Sequence, residues 1–329
     1  MAQGPIGNIP APPKKLVATV GNFDGVHRGH LHLIERVKRE ARKRGLTSAV
    51  ITFTNHPSSV LHPERPVQLL WDMDGEEKKR ALAATGVDRI IWLTFTPTMA
   101  TMSSTQFVEW LRREYGADVL VMGYNHTLGH DRGASLRAAD APLGVEIVEA
   151  DEYRGEGAPV SSSIIRDLIA QGDVREAAHK WGRPVTLEGT VIDGHKNGRV
   201  LGFPTANIRH RDGQLWPPTG AYVARVTILL PDGSAQGPFG GMVGITRRPT
   251  VTGVEAGTVG AEVHLFDFDC DIYGHEVCIE LLYYLRPERH FASMEELQHQ
   301  LATDRDASLA ILAQQGLMCS GKLPFNHNQ

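Results

Sequence analysis

A change of hydrophobic periodicity near residue 184 constrains the fold of this chain more than any other feature. From Leu16 to about Glu149, short β-rich apolar runs alternate with segments whose apolar residues recur at helical spacing. This alternation is typical of parallel βαβ units. After Pro184 the apolar residues recur at every second position, and Gly, Pro and Asp turns separate the runs. A chain of 329 residues with this pattern is predicted to contain two domains.

The first half is predicted to be an α/β domain with a doubly wound, Rossmann-like parallel sheet. Two apolar stripes at helical spacing run from Leu33 to Ala41 and around Phe107 and Leu111. The predicted strands are residues 16–20, 48–53, 89–95, 118–122 and 145–148. Because a ligand of such a sheet binds beyond the carboxyl ends of the strands, we expect the site of this half there.

The second half is predicted to be an antiparallel β-barrel followed by a C-terminal helix. The predicted strands are residues 186–192, 221–229, 241–245, 260–266 and 276–285. The helix is predicted over residues 293–314, where Ser293 and Glu296 resemble a capping box and leucines fall on one face. We expect this face to pack against the barrel.

The domain boundary is predicted near residue 184, because Gly182-Arg183-Pro184 forms a natural helix stop. This places one domain at residues 14–184 and the other at residues 185–318. Residues 1–13 are predicted to form a flexible leader, and the polar residues 319–329 a frayed tail.

The composition argues against several classes of protein. A formal net charge of −4 provides no basic footprint for nucleic acid or for an anionic membrane. The three cysteines, Cys270, Cys278 and Cys319, lack CxxC spacing and indicate neither a disulfide framework nor a zinc site. With no signal peptide and no apolar run of membrane-spanning length, the chain is predicted to be cytoplasmic. Whether it forms a homo-oligomer is left open.

The turn after the first predicted strand, Gly21 to His30, is the first candidate site. Its glycines, Gly21, Gly25 and Gly29, permit positive φ or close backbone approach, and the helix that follows directs free N–H groups at a ligand. An anion is therefore expected. His27 and His30 lie three residues apart, so both imidazoles project from one side of the first helical turn and can donate to phosphate oxygens. The alternative is that both histidines are incidental surface residues on a glycine-rich turn.

This turn matches neither GxGxxG with a downstream acid nor GxxxxGK[ST], so a dinucleotide-redox site and a P-loop are not supported. A second anion site is indicated by residues 161–166. Ser161, Ser162 and Ser163 would place hydroxyls and free backbone donors at a helix start, and Arg166 would add a guanidinium. Taken alone, the serines would be read as an ordinary helix N-cap.

In the second half, a glycine-rich loop at residues 189–203 leads into Pro204-Thr205-Ala206-Asn207. A hydroxyl and an amide oxygen two residues apart on a strand point the same way, and Mg²⁺ prefers oxygen ligands. Glu262 is an acidic residue in an otherwise apolar strand, and alternation predicts that it shares a face with His264. The plainer alternatives are a hairpin loop and a solvated outward-facing glutamate.

Together these motifs resemble one known family, the bacterial bifunctional riboflavin kinase/FAD synthetases. The segment from Gly21 to His30 resembles the signature of the HxGH nucleotidyltransferases. Further similarity lies in Thr52 to Pro57, although Asn55 stands where the family usually has proline, and in the segments Gly123 to Gly129, Ser161 to Arg166 and Gly189 to Asn207. The resemblance spans roughly residues 14 to 313 in the family's domain order.

The resemblance implies a Greek-key kinase barrel that converts riboflavin to FMN, and a nucleotidyltransferase domain that converts FMN to FAD with release of pyrophosphate. ATP would be the co-substrate of both reactions and Mg²⁺ the cofactor. Catalytic roles would fall to Glu262 as base and to His27, His30 and Arg166 as charge-stabilising groups, while Thr205 and Asn207 would hold Mg²⁺. Arg286 would lie in a flap near the flavin. The residues expected at ATP or its phosphates are Gly21, Phe23, Asp24, Gly29, Asn125, Ser161, Ser162, Ser163, Gly194, Gly198 and Arg199.

Departures from the family pattern leave two alternatives open. His126 and Leu128 replace two aromatic residues where adenine or flavin packing is expected, and Gly244 and Thr246 replace Asn and Gly in a later loop. The chain could therefore be a riboflavin kinase whose adenylyltransferase domain is impaired. The remaining alternative is a flavin- or nucleotide-sensing protein that binds without turnover. Glu262 argues against a sensor, because binding alone needs no general base.

Overall fold

The computed structural model describes residues 15–65, 68–71, 73–124, 126–133, 144–155, 159–193, 198, 201–210, 215–247 and 259–316. The chain divides into two compact units, Met1–Ser161 and Ser162–Gln329. The second unit thus begins with the two helices that precede the barrel, whereas the sequence predicted a boundary near residue 184. The predicted leader and tail lie outside the described residues. Within the described ranges, no helix combines the length and apolar character needed to cross a bilayer.

The first unit contains a five-stranded sheet in which all neighbouring strands are parallel, in the order β3-β2-β1-β4-β5. This confirms the predicted Rossmann-like α/β architecture, with strand ends that differ from the prediction by at most two residues. The strands are β1 (Leu16–Val20), β2 (Thr47–Phe53), β3 (Arg89–Leu93), β4 (Ala117–Met122) and β5 (Glu146–Glu149).

Helices cover both faces of this sheet. On one face, Ile34 of the first helix packs with Val50 and Leu82, and on the other face Phe107 and Leu111 pack against β1 and β2. The helices are α1 (Arg28–Arg44), α2 (Ser58–Leu61), α3 (Glu76–Ala83), α4 (Pro97–Ala100) and α5 (Ser104–Tyr115). Because residues on opposite faces alternate along each strand, this double covering produces the near-continuous apolar runs seen in the sequence.

The second unit forms a closed barrel in the strand order β10-β7-β6-β11-β8-β9, preceded by two helices and followed by a third. Every pairing is antiparallel, as predicted. The elements are α6 (Ser162–Ala170), α7 (Val174–Trp181), β6 (Val185–Ile192), β7 (Ala206–His210), β8 (Gly220–Leu229), β9 (Ala235–Arg247), β10 (Val259–Leu265), β11 (Glu276–Pro287) and α8 (Met294–Gln314).

Two features of the barrel differ from the sequence prediction. Strand β7 was expected only as a strand carrying Thr205 and Asn207, without bounds, and it begins at Ala206, after Thr205; β9 begins six residues earlier than predicted. The early part of β9 carries Gly237, Pro238 and Gly240, which are poor strand formers. It becomes a strand because β8 pairs with it along most of its length.

Helix α8 packs on the outer face of the barrel. Leu297 and Leu301 contact the cluster of Leu201, Phe203 and Met242, which confirms the expected packing. Its N-terminus is capped by Ser293, whose hydroxyl accepts from Glu296 N at 3.2 Å. The Glu296 carboxylate accepts from Ala292 N at 3.0 Å, one residue earlier than in a standard capping box.

Candidate active sites

The turn after β1 is strained and is held by buried side chains. Phe23 has φ 49° and Val26 φ 40°, left-handed values that are costly for a non-glycine residue and most costly for a β-branched one. Gly25 has φ 75°, where glycine is the favoured residue. Phe23 and Val26 are both buried and pack with Ile34, Val50 and Leu82. Core packing therefore holds this turn in a conformation that local preferences disfavour.

The two histidines of the turn lie on the same side, as their spacing predicted, and their rings are stacked on each other. Their ring centroids are 3.6 Å apart, with 15° between the ring planes. His27 is the N-cap of α1, and its Nδ1 accepts a hydrogen bond from His30 N at 3.2 Å. The proton of the neutral His27 ring is therefore on Nε2, leaving that atom as a donor. Among the described residues, the buried Nδ1 of His30 has no hydrogen-bond partner.

Both imidazoles are neutral at physiological pH. Burial lowers the pKa of His27 to about 4. The pKa of His30 is also well below its usual range, first because of burial and then because of His27, Lys78 and His126. Neutral imidazoles still donate through one N–H each, so charge stabilisation here rests on hydrogen bonding rather than on two imidazolium cations.

Three other predicted phosphate-site residues shape the turn. The buried carboxylate of Asp24 accepts from Leu70 N at 2.9 Å and from Trp71 N at 3.3 Å, so it ties residues 70–71 to the turn. Gly29 lies against the His27 ring, since an added Cβ would be 3.1 Å from its Cε1. Gly21 donates its N–H to Ile51 O and so belongs to the edge of the sheet. Phosphate contacts by these residues remain predictions.

The segment after β2 completes this edge of the sheet. The Asn55 side chain donates to Phe95 O at 3.0 Å and accepts from Phe95 N at 2.7 Å. A proline side chain offers no such groups, so this two-point link between the segments that follow β2 and β3 depends on Asn55. His56 contacts Asn22, with 3.1 Å between His56 Nε2 and Asn22 Nδ2.

The loop after β4 contains His126 and Leu128, the two residues that replace expected aromatic residues. Leu128 is a core residue that packs with Phe107 and Leu111, so this departure from the expected aromatic residue lies in the core. Burial lowers the pKa of His126 to about 4, and this residue contributes to the low pKa of His30. Asn125 lies outside the described residues.

The serine-arginine motif lies at the start of α6. Ser162 and Ser163 occupy its first turn, Ser161 precedes it, and Arg166 Nη2 donates to Ser163 Oγ at 3.1 Å. The predicted grouping of a guanidinium with hydroxyls at a helix start is therefore present. The association of this group with His27 and His30 remains a prediction.

In the barrel, strand register aligns three predicted site residues. Asn207 lies directly opposite Glu262, Glu262 opposite Gly244, Gly244 opposite Ala221, and Ala221 opposite Arg286. Opposed residues of antiparallel strands project to the same face. We call these five residues the cross-strand row. It lies on the outer face, because Val243, Ile245 and Val263, which alternate with it, are buried inside.

A small cluster holds the segment that leads to Thr205. His264 Nδ1 lies 2.8 Å from Pro204 O, so this nitrogen is the donor. Burial lowers the pKa of His264. A Cβ on Gly198 would clash with the carbonyl of Phe203 and lie 3.1 Å from Thr205 Oγ1, so Gly198 itself lies close to Thr205. Gly194 and Arg199 lie outside the described residues.

The sequence predicted only that His264 shares a strand face with Glu262. Its hydrogen bond with the Pro204 carbonyl was not predicted. Gln298 of α8 also fixes this segment, because its Nε2 donates a hydrogen bond to Leu201 O at 3.2 Å. Both contacts are long-range, and the alternating pattern of β10 was the only signal in the sequence.

Arg286 forms a bidentate ion pair with Asp304 of α8. Nε lies 3.1 Å from Oδ1, Nη2 lies 2.7 Å from Oδ2, and Asp304 is only 4% exposed. Gln300 Nε2 also donates to Asp304 Oδ1 at 2.9 Å. Arg286 therefore joins the end of β11 to the C-terminal helix, and a direct contact with flavin remains a prediction.

The donor set near the row suits a hard cation. Among the described residues, no cluster of three or more His, Cys, Asp or Glu side chains could hold a metal ion. Thr205 and Asn207 instead offer a hydroxyl and an amide oxygen, with the Glu262 carboxylate on the neighbouring strand. All three are oxygen donors of the kind that Mg²⁺ prefers when phosphate and water complete its shell.

Comparison with known proteins gives these two sites a family. Residues 9–164 match the FAD synthetase family, and residues 181–312 match the riboflavin kinase family. The curated bifunctional riboflavin kinase/FMN adenylyltransferase of Escherichia coli K12 is 33% identical over 89% of this chain and 92% of its own length. The chain belongs to this bifunctional family.

Other relatives and one solved structure are similar to this chain over nearly its whole length. The Bacillus subtilis and Listeria monocytogenes members are 32% and 34% identical, each over 90% of this chain and 92% of its own length. A Streptococcus pneumoniae crystal structure described as a macrolide-efflux protein has a TM-score of 0.77 and 28% identity. It covers 92% of this chain and 96% of its own. The bifunctional family thus accounts for both units.

Proposed function

We infer that this chain makes two flavin cofactors in sequence. The second unit transfers the γ-phosphoryl group of ATP to riboflavin, giving FMN. The first unit transfers the adenylyl group of a second ATP to FMN, giving FAD and pyrophosphate. The kinase half of this assignment rests on the pairing of Asn207 with Glu262 on neighbouring strands, with Gly198 close to Thr205, and the adenylyl-transfer half rests on the stacked His27–His30 pair.

In the kinase reaction, the terminal hydroxyl oxygen of riboflavin attacks the γ-phosphorus, and the bond from that phosphorus to the bridging oxygen of ADP breaks. Glu262 accepts the hydroxyl proton as this oxygen–phosphorus bond forms. Its carboxylate is exposed on the outer face of the barrel, where an incoming alcohol can reach it. His264 positions Thr205 through the Pro204 carbonyl. Arg286 and Asp304 fix the far end of the cross-strand row.

Thr205 and Asn207 would hold Mg²⁺ together with phosphate oxygens. The ion supplies neutralisation of phosphate charge when bound. The side chains of this chain remain responsible for orientation, because Asn207 is fixed by the strand ladder and Thr205 by the packing of Gly198 against it.

In adenylyl transfer, an oxygen of the FMN phosphate attacks the α-phosphorus of ATP, and the bond to the bridging oxygen of pyrophosphate breaks. No proton has to be removed from the attacking oxygen, so no general base is needed. His27 Nε2–H and the His30 imidazole donate to oxygens on which negative charge develops. The resemblance gives Arg166, Ser161 and Ser162 a role in binding phosphate, and Arg166 Nη2 donates to Ser163 Oγ at 3.1 Å. No covalent enzyme intermediate is involved.

Several assignments rest on the sequence alone. These are the domain limits at 14–184 and 185–318, the cytoplasmic location, and the absence of nucleic-acid and membrane partners. ATP contacts by Asn125, Gly194 and Arg199 belong with them, as does any homo-oligomer.

The decisive experiment incubates the purified full-length chain with riboflavin, ATP and Mg²⁺ and resolves the flavins by chromatography. FMN followed by FAD is expected. FMN without FAD, even when FMN is supplied, would identify a kinase with an impaired first unit. Flavin binding without either product would identify a sensor.

A further inference from the structure

Lys78 is a fully buried lysine close to the histidine turn, and neither reaction described above uses it. It lies on α3 with none of its surface exposed. Its Nζ donates to Phe53 O at 3.0 Å and lies 3.8 Å from the sulfur of Met73. The same nitrogen stands over the Trp92 ring, 5.3 Å from its centroid. A lysine is rarely buried completely, because removing an ammonium group from water is costly.

The contact with Phe53 places this ammonium at the edge of the sheet where the ligand is expected. Phe53 is the last residue of β2, and Thr54, Asn55 and His56 follow it. Ligands of parallel α/β sheets bind beyond these carboxyl ends. The hydrogen bond therefore fixes the carbonyl from which the Asn55 and His56 segment begins.

Lys78 also acts electrostatically on the turn. Its positive charge contributes to the low pKa of His30, together with burial, His27 and His126. The turn itself carries the Asp24 carboxylate, which accepts from two backbone N–H groups, and the exposed guanidinium of Arg28. A cation near His30 disfavours an imidazolium and favours an incoming anion, since both effects follow from the same field.

We propose that Lys78 is a positioning residue for adenylyl transfer, which fixes the end of β2 through its hydrogen bond to Phe53 O and supplies positive charge that favours binding of the phosphates of ATP. The proposal rests on adenylyl transfer being the reaction of the first unit. A methionine of similar length could fill the same volume without the desolvation cost, so packing alone does not require an ammonium here.

The test compares three substitutions of Lys78 in the full-length protein. Lys78→Met removes both the charge and the hydrogen bond, Lys78→Gln keeps a donor for Phe53 O, and Lys78→Arg keeps the charge. Lys79→Met is the matched control, because Lys79 is the next residue of α3, 40% exposed and paired with Glu76 and Asp74. FAD formation from supplied FMN is measured against ATP concentration and pH, and riboflavin phosphorylation by the same samples reports on the second unit.

Lys78→Met and Lys78→Gln are expected to lower kcat/KM for ATP in FAD formation by about tenfold to a hundredfold. Lys78→Arg should recover most of this loss, and Lys79→Met should match the wild type. With the charge removed, the pKa of His30 rises, so the acid limb of FAD formation should move to higher pH in Lys78→Met and Lys78→Gln. A role in packing alone would not move this limb.

Wild-type ATP dependence and an unmoved acid limb in Lys78→Gln would overturn the proposal. Failure of all three variants to fold, judged by thermal unfolding, would also overturn it, because Lys78 would then be a folding residue only. If the wild type itself makes no FAD, the assigned reaction is wrong, and this outcome is distinct from failure of the Lys78 proposal.

Discussion

The histidine turn of the first unit and the cross-strand row of the second bring site residues together by opposite means. His27 and His30 are three positions apart, and one helical turn stacks their rings. Asn207 and Glu262 are far apart in the chain, and only the register of β7 and β10 makes them neighbours. The first site is locally encoded and buried, whereas the second is assembled by long-range pairing on an outer face.

Because of this difference, the two sites should be sensitive to different kinds of substitution. The turn depends on the core, since buried Phe23 and Val26 hold strained backbone, and its histidines stay neutral because they are buried. The row depends on register, because a one-residue slip of β10 would turn Glu262 to the barrel interior. We therefore expect changes in burial to affect the first site most, and changes in strand pairing to affect the second.

The largest effect is expected from Glu262→Gln, which removes the base and keeps the shape of the side chain. Riboflavin phosphorylation should fall by about 10²–10⁴-fold, the usual contribution of general-base catalysis. FAD formation from supplied FMN should be unchanged. Asp232→Asn, in the β8–β9 turn, is the control. Loss of both activities would mean that the two sites are not independent.

His30→Ala is the reciprocal test. FAD formation should fall by about 10²–10³-fold, as when one preorganised donor to a developing negative charge is removed. Riboflavin phosphorylation should persist. His32→Ala is the matched control, because His32 lies on the same helix and is exposed. Equal losses in both histidine variants would remove the special role of the stacked pair.

Asp304→Asn tests whether the row depends on its link to α8. Breaking a buried ion pair leaves Arg286 without its carboxylate partner and should lower the free energy of unfolding by about 3–5 kcal/mol. Chemical denaturation followed by a barrel-specific signal measures this. Asp306→Asn, which removes an exposed carboxylate two residues along α8, should change little. A stable variant that has lost only riboflavin affinity would favour a flavin contact by Arg286 instead.

Acid should destabilise the first unit before the second. Among the described residues, burial lowers the pKa of three histidines in the first unit, His27, His30 and His126, and of His264 in the second. Between pH 6.5 and about 4, His27 binds a proton in the unfolded chain but not in the folded one. The free energy of unfolding therefore decreases as the pH is lowered. The loss from His27 amounts to about 3 kcal/mol over this window.

Limited proteolysis at pH 7 and at pH 5, with peptides assigned by mass spectrometry, separates the two units. His27→Asn keeps an N-cap acceptor for His30 N–H but removes the titrating ring, and should reduce the acid sensitivity. Simultaneous unfolding of both units in the wild type would contradict the expectation.

The smallest effect concerns Gly244, the member of the row that departs from the family pattern. Among the described residues, a Cβ added there has only Glu262 O within 4 Å, at 4.0 Å, so Gly244→Ala should raise stability by about 0.5 kcal/mol. Gly241→Ala on the same strand is the contrasting variant, because its Cβ would lie 2.5 Å from His264 O. Thermal unfolding should show loss for Gly241→Ala alone, and equal losses would mean that the row is closely packed at Gly244.

Much of the fold was predictable because buried faces of helices and strands require apolar residues at regular spacing in the sequence. The five parallel strands and the C-terminal helix follow from apolar spacing, with strand ends in the first unit within two residues of the prediction. The bounds of strand β7 and the start of β9 were not predicted, since short or glycine-rich segments become strands only when a partner pairs with them.

The candidate sites divide in the same way. The paired histidines were predicted together, because helical spacing alone puts them on one side of a turn. The sequence did not predict the burial of Lys78, the hydrogen bonds between Asn55 and Phe95, or the Arg286–Asp304 ion pair. Each depends on a residue distant in the chain, and no neighbouring residue indicates it. Asp24 was assigned to phosphate from its place in the motif, yet its carboxylate binds backbone N–H groups of residues 70–71.

The sequence by itself determined the two-part architecture, the family and the residue types available for phosphate chemistry, because periodicity and motif spacing are local properties of the chain. Only the tertiary structure decided which of these residues are buried and which face one another. Burial makes His27 and His30 neutral donors, and strand register sets Asn207 beside Glu262. Both depend on contacts between distant segments, and the free energies of such contacts are not written in any single stretch of sequence.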